Sequence, residues 1–456
     1  MRSSPETAVI QDRIHRHPRT PVLDRILSLF TTPVYSGEGL STLLLALNVF
    51  LLLATYYMLK TVRESLILAS AGAEVKSYSS AAQAMLLLGI VPAYGWFASR
   101  VDRVRLVVGI TLFFISHLAV FLMLGRSGLA IDVPFYLWLG IFNVMVIAQF
   151  WAFAADIYSS DDQGRRLLPV VGIGSSIGAL AGASASSVAF SFFGPFGVVA
   201  FAMLLLAVCA GFPVLVNRYR CAACGYQQSI ADQPLRKEGA FRLVMKDRYL
   251  LLVALLVLLL NIVNTGGEFV LGKLVIDEAN RQAAGQADPT LFRQAFIGKF
   301  YGQYFTIVNL LGLALQMFLV SRVFRWIGVR GALFILPCLA LGGYALIAIL
   351  PLLGVIRVAK VVENSCDYSI QNTARHALFL PTSREAKYKG KQLIDTFFWR
   401  AGDVIQAAVV LLGAQLAFGI REYAAVNVVF VILWLAVVVL LHGEHRKQEL
   451  AVPPSE

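Results

Sequence analysis

Charge is scarce in this chain of 456 residues. Only 14% of positions are Asp, Glu, Lys or Arg, 58% are hydrophobic, and the mean hydropathy is +0.71. Soluble domains carry about 25% charged residues, so this balance excludes the soluble class. Cysteine is scarce too, with five in all. Cys221 and Cys224 form a lone CAAC pair without two further Cys or His nearby to complete a structural zinc site. Cys209, Cys338 and Cys366 fall within apolar segments and read as small apolar residues. A catalytic triad, a metal-ligand cluster and a Walker sequence are all missing. The stretch "GIGSSIGALAG" (172–182) has a phosphate loop's glycines but neither its Lys-Ser/Thr ending nor a preceding strand. Gly174, Gly178 and Gly182 instead predict a close helix-packing face. No enzyme activity, metal or cofactor is therefore expected. The first 39 residues lack the uninterrupted apolar core of a signal peptide.

Long apolar runs are abundant. Twelve recur, over 40–66, 76–98, 104–124, 133–157, 168–192, 194–216, 249–275, 296–320, 329–350, 352–376, 392–417 and 423–441. Each is long enough to cross about 30 Å of hydrocarbon as a helix, and lengths of about 20 residues exclude barrel strands. The expectation is an all-α integral membrane protein with twelve transmembrane helices.

Lys and Arg set the orientation. Arg100, Arg103 and Arg105, then Arg165 and Arg166, the 217–248 loop, Arg322, Arg325 and Arg330, and finally Arg384, Lys387, Lys389 and Lys391 crowd alternate connections. The other connections are poor in them. Both termini are thus expected in the cytoplasm, in a cell inner membrane. The net charge of +12 reflects this topology and calls for no nucleic-acid partner. Upstream, "VLDRILSLF" (22–30) reads either as a helix lying on the membrane surface or as part of a disordered tail.

The polar loop at the centre divides the chain. A cytoplasmic N-terminal segment (1–39), a six-helix bundle (40–216), a central cytoplasmic loop (217–248), a second six-helix bundle (249–441) and a cytoplasmic tail (442–456) are what two parallel repeats would give. The partial loop signature "GWFASRVDRVRL" (95–106) resembles that of the major facilitator superfamily, with Ser99 where an acid is usual.

Ionised residues inside the membrane are costly and normally face a cavity. On segment ten Arg357, Lys360, Glu363, Asp367, Gln371 and Arg375 recur at intervals of three and four, one helical stripe. Segment one carries Asn48, Tyr56, Lys60, Arg63 and Glu64, and segment seven Asn261, Asn264 and Glu268. Segment eight adds Lys299 and Gln303, and segment eleven Asp395, Arg400 and Asp403. One reading is that these charges pair and hold helices together. The other starts from Lys60, Arg63, Arg357, Lys360, Lys391 and Arg400, which outnumber what a few acids need, so that the surplus predicts an anionic ligand in a wet, positively biased path.

Four motifs resemble the ATP/ADP translocase family of plastids and intracellular bacteria: "YYMLKTVRESLILASAGAEVKSY" (56–78), "FWAFAADIYSSDDQGRRLLPVVGIG" (150–174), "NTGGEFVLGK" (264–273) and "LFLPTSREAKYKGKQLID" (378–395). The resemblance implies a nucleotide exchanger of major-facilitator type whose membrane lysines bind phosphates. It places family positions on Arg63, Glu268 and Lys391, with Lys389 beside the last, and puts Leu139 where the family has a glutamate, with Asn143 nearby.

The resulting expectation is a nucleotide transporter working by alternating access through a basic central cavity, as a monomer in the bilayer. Substrate contacts are assigned to Lys60, Arg63, Glu268, Arg357, Lys360, Lys389, Lys391 and Arg400, and coupling or gating to Glu64, Glu363, Asp367, Asp395 and Asp403. Asp395 is expected either to cap its helix or to form a gate pair with Arg165 or Arg166. The alternatives are a proton-coupled carrier of another organic anion, with Glu268 or Asp367 taking the proton, and a non-transporting membrane sensor or scaffold. Trp96, Trp138 and Trp326 read as interface anchors. Trp151 and Trp399 read as packing residues or as stacking platforms for a base.

Overall fold

The computed structural model describes residues 38–98, 100–158, 161–218, 240–383 and 385–451. They are helical almost throughout, with no strand among them. The segment 22–30, the Cys221/Cys224 pair, most of the central loop and the last residues of the tail lie outside the described residues.

The first four helices are α1 (Gly39–Ser70), α2 (Gly72–Ala98), α3 (Arg103–Arg126) and α4, which joins Asp132–Phe142, a π turn at Asn143–Ile147 and Ala148–Ile157. The helical run Asp161–Arg218 has 58 residues. At about 1.5 Å per residue that is roughly 87 Å, nearly three times the hydrocarbon thickness. It breaks at Gly194 (φ 62°, ψ −174°), where the sequence places a boundary, into α5 and α6. A short helix, Ala240–Lys246, leads to α7 (Arg248–Ala283), α8 (Pro289–Phe318) and α9 (Val320–Ile349). Next, α10 joins Leu353–Cys366, a π turn at Asp367–Gln371 and Asn372–Ala377. Two π turns, Ala386–Gly390 and Ile394–Phe398, flank the start of α11, which continues through Trp399–Gln415 before α12 (Ile420–Ala451). Helix starts follow from sequence: the carboxylates of Asp102, Asp247 and Asp288 accept hydrogen bonds from otherwise unpaired first-turn N–H groups.

Nine helices among the described residues are long and apolar enough to cross a membrane, one of them the run that contains α5 and α6. Helices α8 and α10 have the length but not the apolarity, because they carry the polar residues of the site described below.

Two apolar cores form. One draws only on residues of α1 to α6, from Leu45 to Val216. The other belongs to α7–α12 but also takes in Ile67, Leu68 and Ala69 of α1, Ala73 of α2, Tyr136 of α4 and Ala183 of α5. The halves therefore meet near the α1–α2 turn. Ser65 donates to the Gln294 carbonyl (2.7 Å) and Lys273 pairs with Glu74 (2.7 Å) at this same end, while Ser184 meets Thr306 (3.3 Å) nearer the middle of the helices. At the opposite end three bonds among the described residues lie within a half. Arg166 pairs with Glu38 (3.3 Å), Arg103 with Asp156 (2.6 Å), and Tyr249 donates to the Leu378 carbonyl (2.7 Å). Consistent with that, Ile173, Ile177, Leu310 and Met317 are exposed.

The glycines of "GIGSSIGALAG" form the close packing face that their spacing predicts. A Cβ on Gly174, Gly178 or Gly182 would collide with the backbone of Ala46, Phe50 or Ala54 in turn. Both series advance four residues per step in the same sense, so α1 and α5 lie parallel with backbones in contact. Lipid offers helices no hydrophobic gain from associating, so such close approach is what binds them. Trp96 and Trp326 are exposed, but Trp138 is not an interface anchor. It is buried among Phe114, Phe121, Phe135 and Phe142, where aromatic packing outweighs an interfacial N–H contact.

Candidate functional site

The α1–α2 turn builds the first wall. Gly72 has φ +90°, a left-handed conformation that suits glycine, and it lets α2 fold back at once on α1. Lys76, twelve residues after Glu64 in sequence, thereby reaches Glu64 at 2.6 Å, off the hydrogen-bond direction. Arg63 also pairs with Glu64, and its guanidinium lies over the Tyr136 ring of α4 at 4.5 Å.

Helix α7 builds the second wall with the motif "NTGGEFVLGK". Asn264 accepts from Lys360 through its side chain (2.8 Å) and its carbonyl (3.3 Å). Gly267 makes room for this: a Cβ there would lie 2.9 Å from Lys360 Cδ and strike the Tyr344 hydroxyl. Lys360 is fully buried and pairs with Glu363 at 3.0 Å, and Glu363 also accepts from Tyr344 (2.8 Å). Glu268 accepts from Tyr304 (3.2 Å) and Asn364 (3.1 Å), and lies 3.9 Å from Lys76 and 4.0 Å from Lys360.

The result is a chain of alternating charge, Arg63, Glu64, Lys76, Glu268, Lys360, Glu363, that runs from one half of the molecule to the other. Beside it lies a cavity of about 150 Å³ lined by Lys60, Arg63, Glu64, Lys76, Glu268 and Tyr368, among others. This is smaller than the roughly 300 Å³ or more that encloses a drug-sized ligand. It has room for one charged group of a solute.

Lys60 differs from the other cations. Its Nζ lies 4.2 Å from the Phe305 ring centroid and 5.3 Å from that of Tyr57, with no carboxylate within 4.0 Å among the described residues. Arg357 is likewise without a carboxylate. It reaches Gln303 (3.5 Å) and the Phe300 ring (5.1 Å) on α8, outside the cavity lining.

The structure narrows the surplus of cations drawn from sequence. Arg63, Lys360, Lys391 and Arg400 each have an acid, Arg63 in its neighbour Glu64 and the other three at helical spacing. Lys391 pairs with Asp395 at 3.5 Å, four residues on, and Arg400 with Asp403 at 3.4 Å, three residues on. Asp403 also accepts from Asn261 (2.9 Å) and Thr265 (3.3 Å), which ties α11 to α7. Asp395 is engaged within its own helix and Arg166 with Glu38, while the Arg165 side chain lies outside the described residues. Lys389 and Lys391 sit at the start of α11 and do not line the cavity. Asp367 is buried at the π turn of α10 with no ion pair within 4.0 Å among the described residues. Arg375 stacks on Trp399 at 5.1 Å, so that ring packs against a side chain of its own protein.

Lys76, Tyr136, Tyr304 and Asn364 were not singled out from sequence. Lys76 and Tyr136 had signals, a lysine opening an apolar run and a tyrosine one turn before Leu139. Leu139 itself is fully buried in the first core, so that position of α4 faces away from the cavity and Tyr136 faces it.

No protein-family model matches the chain, and no curated protein matches it significantly. Solved structures do. The nucleoside transporter NupG aligns with a TM-score of 0.60 at 14% identity, covering 88% of this chain and 98% of that one. A POT family transporter in complex with 5-aminolevulinic acid aligns at 0.61 and 13%, covering 89% and 96%. A bacterial homolog of the human lysosomal transporter Spinster, in an inward-facing and unoccupied conformation, aligns at 0.55 and 15%, covering 90% and 99%. The chain shares the all-helical fold of these three structures.

Proposed function

We propose that this chain is a membrane transporter of anionic organic solutes, nucleotides first among them, working by alternating access between two six-helix bundles, 40–216 and 249–441. The single observation that carries the reading is Lys60: a cation on a cavity between the halves, held by aromatic rings and with no carboxylate within 4.0 Å among the described residues. A membrane-embedded charge in that state is costly unless a ligand of opposite sign completes it. The resemblance to nucleotide exchangers and the shared fold with a nucleoside transporter support the choice of solute. The cavity would take a phosphate, with the rest of the solute in the vestibule at the open end.

In this proposal the chain crosses the membrane twelve times as a monomer, with both termini and the central loop cytoplasmic, so the open end faces inward. The gate at the other end is made by Ser65, Glu74 and Lys273 with their partners. The test is uptake of labelled ATP, ADP and other nucleotides by proteoliposomes, with and without unlabelled nucleotide inside. Saturable uptake of a nucleotide supports the reading. Uptake of uncharged nucleosides in preference to nucleotides would overturn it.

A second reading, proton coupling, is favoured by Asp367, a buried carboxylate with no ion partner within 4.0 Å among the described residues. Transport with and without a pH gradient separates the two.

A further inference from the structure

Three lysines from both halves converge on one carboxylate. Lys76 from α2 and Lys360 from α10 lie 3.9 and 4.0 Å from Glu268, and the charge of Lys60 on α1 also acts on it. Those separations exceed a hydrogen bond of about 2.7–3.2 Å. Lys76 and Lys360 each have a closer acid elsewhere, Glu64 at 2.6 Å and Glu363 at 3.0 Å. The direct hydrogen bonds to Glu268 come instead from Tyr304 and Asn364, neutral donors of its own half. Glu268 is thus held at the centre of a cationic ring without being tightly paired to any member of it, and its side chain is 21% exposed to the cavity.

A carboxylate is an acceptor with negative charge, so it has nothing to offer a phosphate and would repel one. We infer that Glu268 is a built-in substitute for the substrate's anionic group: it neutralises Lys76 and Lys360 when the carrier is empty, and the arriving anion displaces it. This rests on the anion-transport reading above and assigns Glu268 the opposite role from a substrate ligand. The site would then select solutes whose anionic group outcompetes a carboxylate, a phosphate of charge near −2 over a single carboxylate. A neutralised empty cavity could also reorient without substrate, permitting net uptake in addition to exchange.

The charged and titratable groups facing Glu268 are Lys60 and Glu64 on α1, Lys76 on α2, Tyr301 and Tyr304 on α8, Tyr344 on α9, and Lys360, Glu363 and Tyr368 on α10. Only Glu268 is both shared between the halves and loosely paired.

The sign of one substitution decides the matter. Calorimetric titration of the full-length protein in detergent, with ATP and with inorganic phosphate as probes, should show Glu268→Gln binding about tenfold tighter than the natural chain, as removal of one like charge a few ångströms from the ligand requires. Glu268→Asp, which keeps the charge but withdraws it by one methylene, should bind tighter by less and keeps the test open if the glutamine variant does not fold. In proteoliposomes Glu268→Gln should retain exchange and lose uptake into empty vesicles. If the natural chain binds a probe and the variants bind it equally or more weakly, the substitute role is overturned while anion transport stands. If neither the natural chain nor the variants bind either probe, both fall.

Discussion

Replacing Lys60 by glutamine separates recognition from stability. Lys60 has no carboxylate within 4.0 Å among the described residues, so its removal leaves no acid unpaired. What is lost from the fold is the contact with the Phe305 ring at 4.2 Å, worth about 0.5–1 kcal/mol where water is near. What is lost from the complex is a charge-assisted hydrogen bond to the substrate, about 1.5–3 kcal/mol. At about 1.4 kcal/mol per decade this is roughly a 10- to 150-fold loss of affinity. Lys360→Gln is the contrast. Lys360 is fully buried and pairs with Glu363 at 3.0 Å, so its loss leaves a buried acid without its cation, at a cost of about 3–5 kcal/mol to the fold. The assay is paired: equilibrium binding of ATP and of uncharged adenosine, with the thermal midpoint of each protein measured in the same detergent. Lys60→Gln should weaken ATP, leave adenosine unchanged and move the midpoint little, whereas Lys360→Gln should lower the midpoint sharply. Undiminished ATP affinity in Lys60→Gln would refute the reasoning, as would a midpoint loss equal to that of Lys360→Gln.

The packing of α1 on α5 predicts that Gly178→Ala lowers the thermal midpoint, by the equivalent of about 1–3 kcal/mol for overpacking, because the new Cβ meets the Phe50 backbone. Gly172→Ala on the same helix, where a Cβ meets nothing within 4 Å, should be neutral or stabilising, and equal effects at both sites would contradict the account. Cysteines placed at Ser184 and Thr306, whose hydroxyls are 3.3 Å apart, in a background with the five natural cysteines replaced, should cross-link on oxidation. The cross-link should block uptake until reduced, and full activity after complete cross-linking would show that α5 and α8 need not separate there. If Asp395 leaves Lys391 to meet Arg166 when the open end closes, Asp395→Arg should cripple uptake and Arg166→Asp should restore part of it. Failure of the double variant to recover, in protein of normal expression and melting, would leave Asp395 with a local role only.

Much of this was legible in the sequence because membrane proteins obey few and strong rules. Apolar runs must become helices where lipid provides no hydrogen-bond partner, and they did. The break at Gly194, the existence of a glycine packing face on α5 and the Arg400–Asp403 pair follow from one-dimensional spacing, since each depends on the order of residues within one segment. Polar residues on α1, α7 and α10 marked the site for the same reason: in lipid, an ionised side chain needs an interior to face.

Partner choice was not legible. Lys76 joins Glu64 because Gly72 reverses the chain, and Lys360 enters beside Asn264 because Gly267 leaves space on another helix. The sequence offered six membrane cations as candidates for an unpaired charge. The folded chain satisfies four of them with neighbours three or four residues away or adjacent, and leaves Lys60 and Arg357. Composition and periodicity determined a multi-pass helical protein with charge inside it, because the cost of burying a polar group is paid segment by segment. Which charges cancel, and which one remains to receive a ligand, was decided only by tertiary structure, because ion pairing depends on distances of a few ångströms between helices that sequence order does not encode.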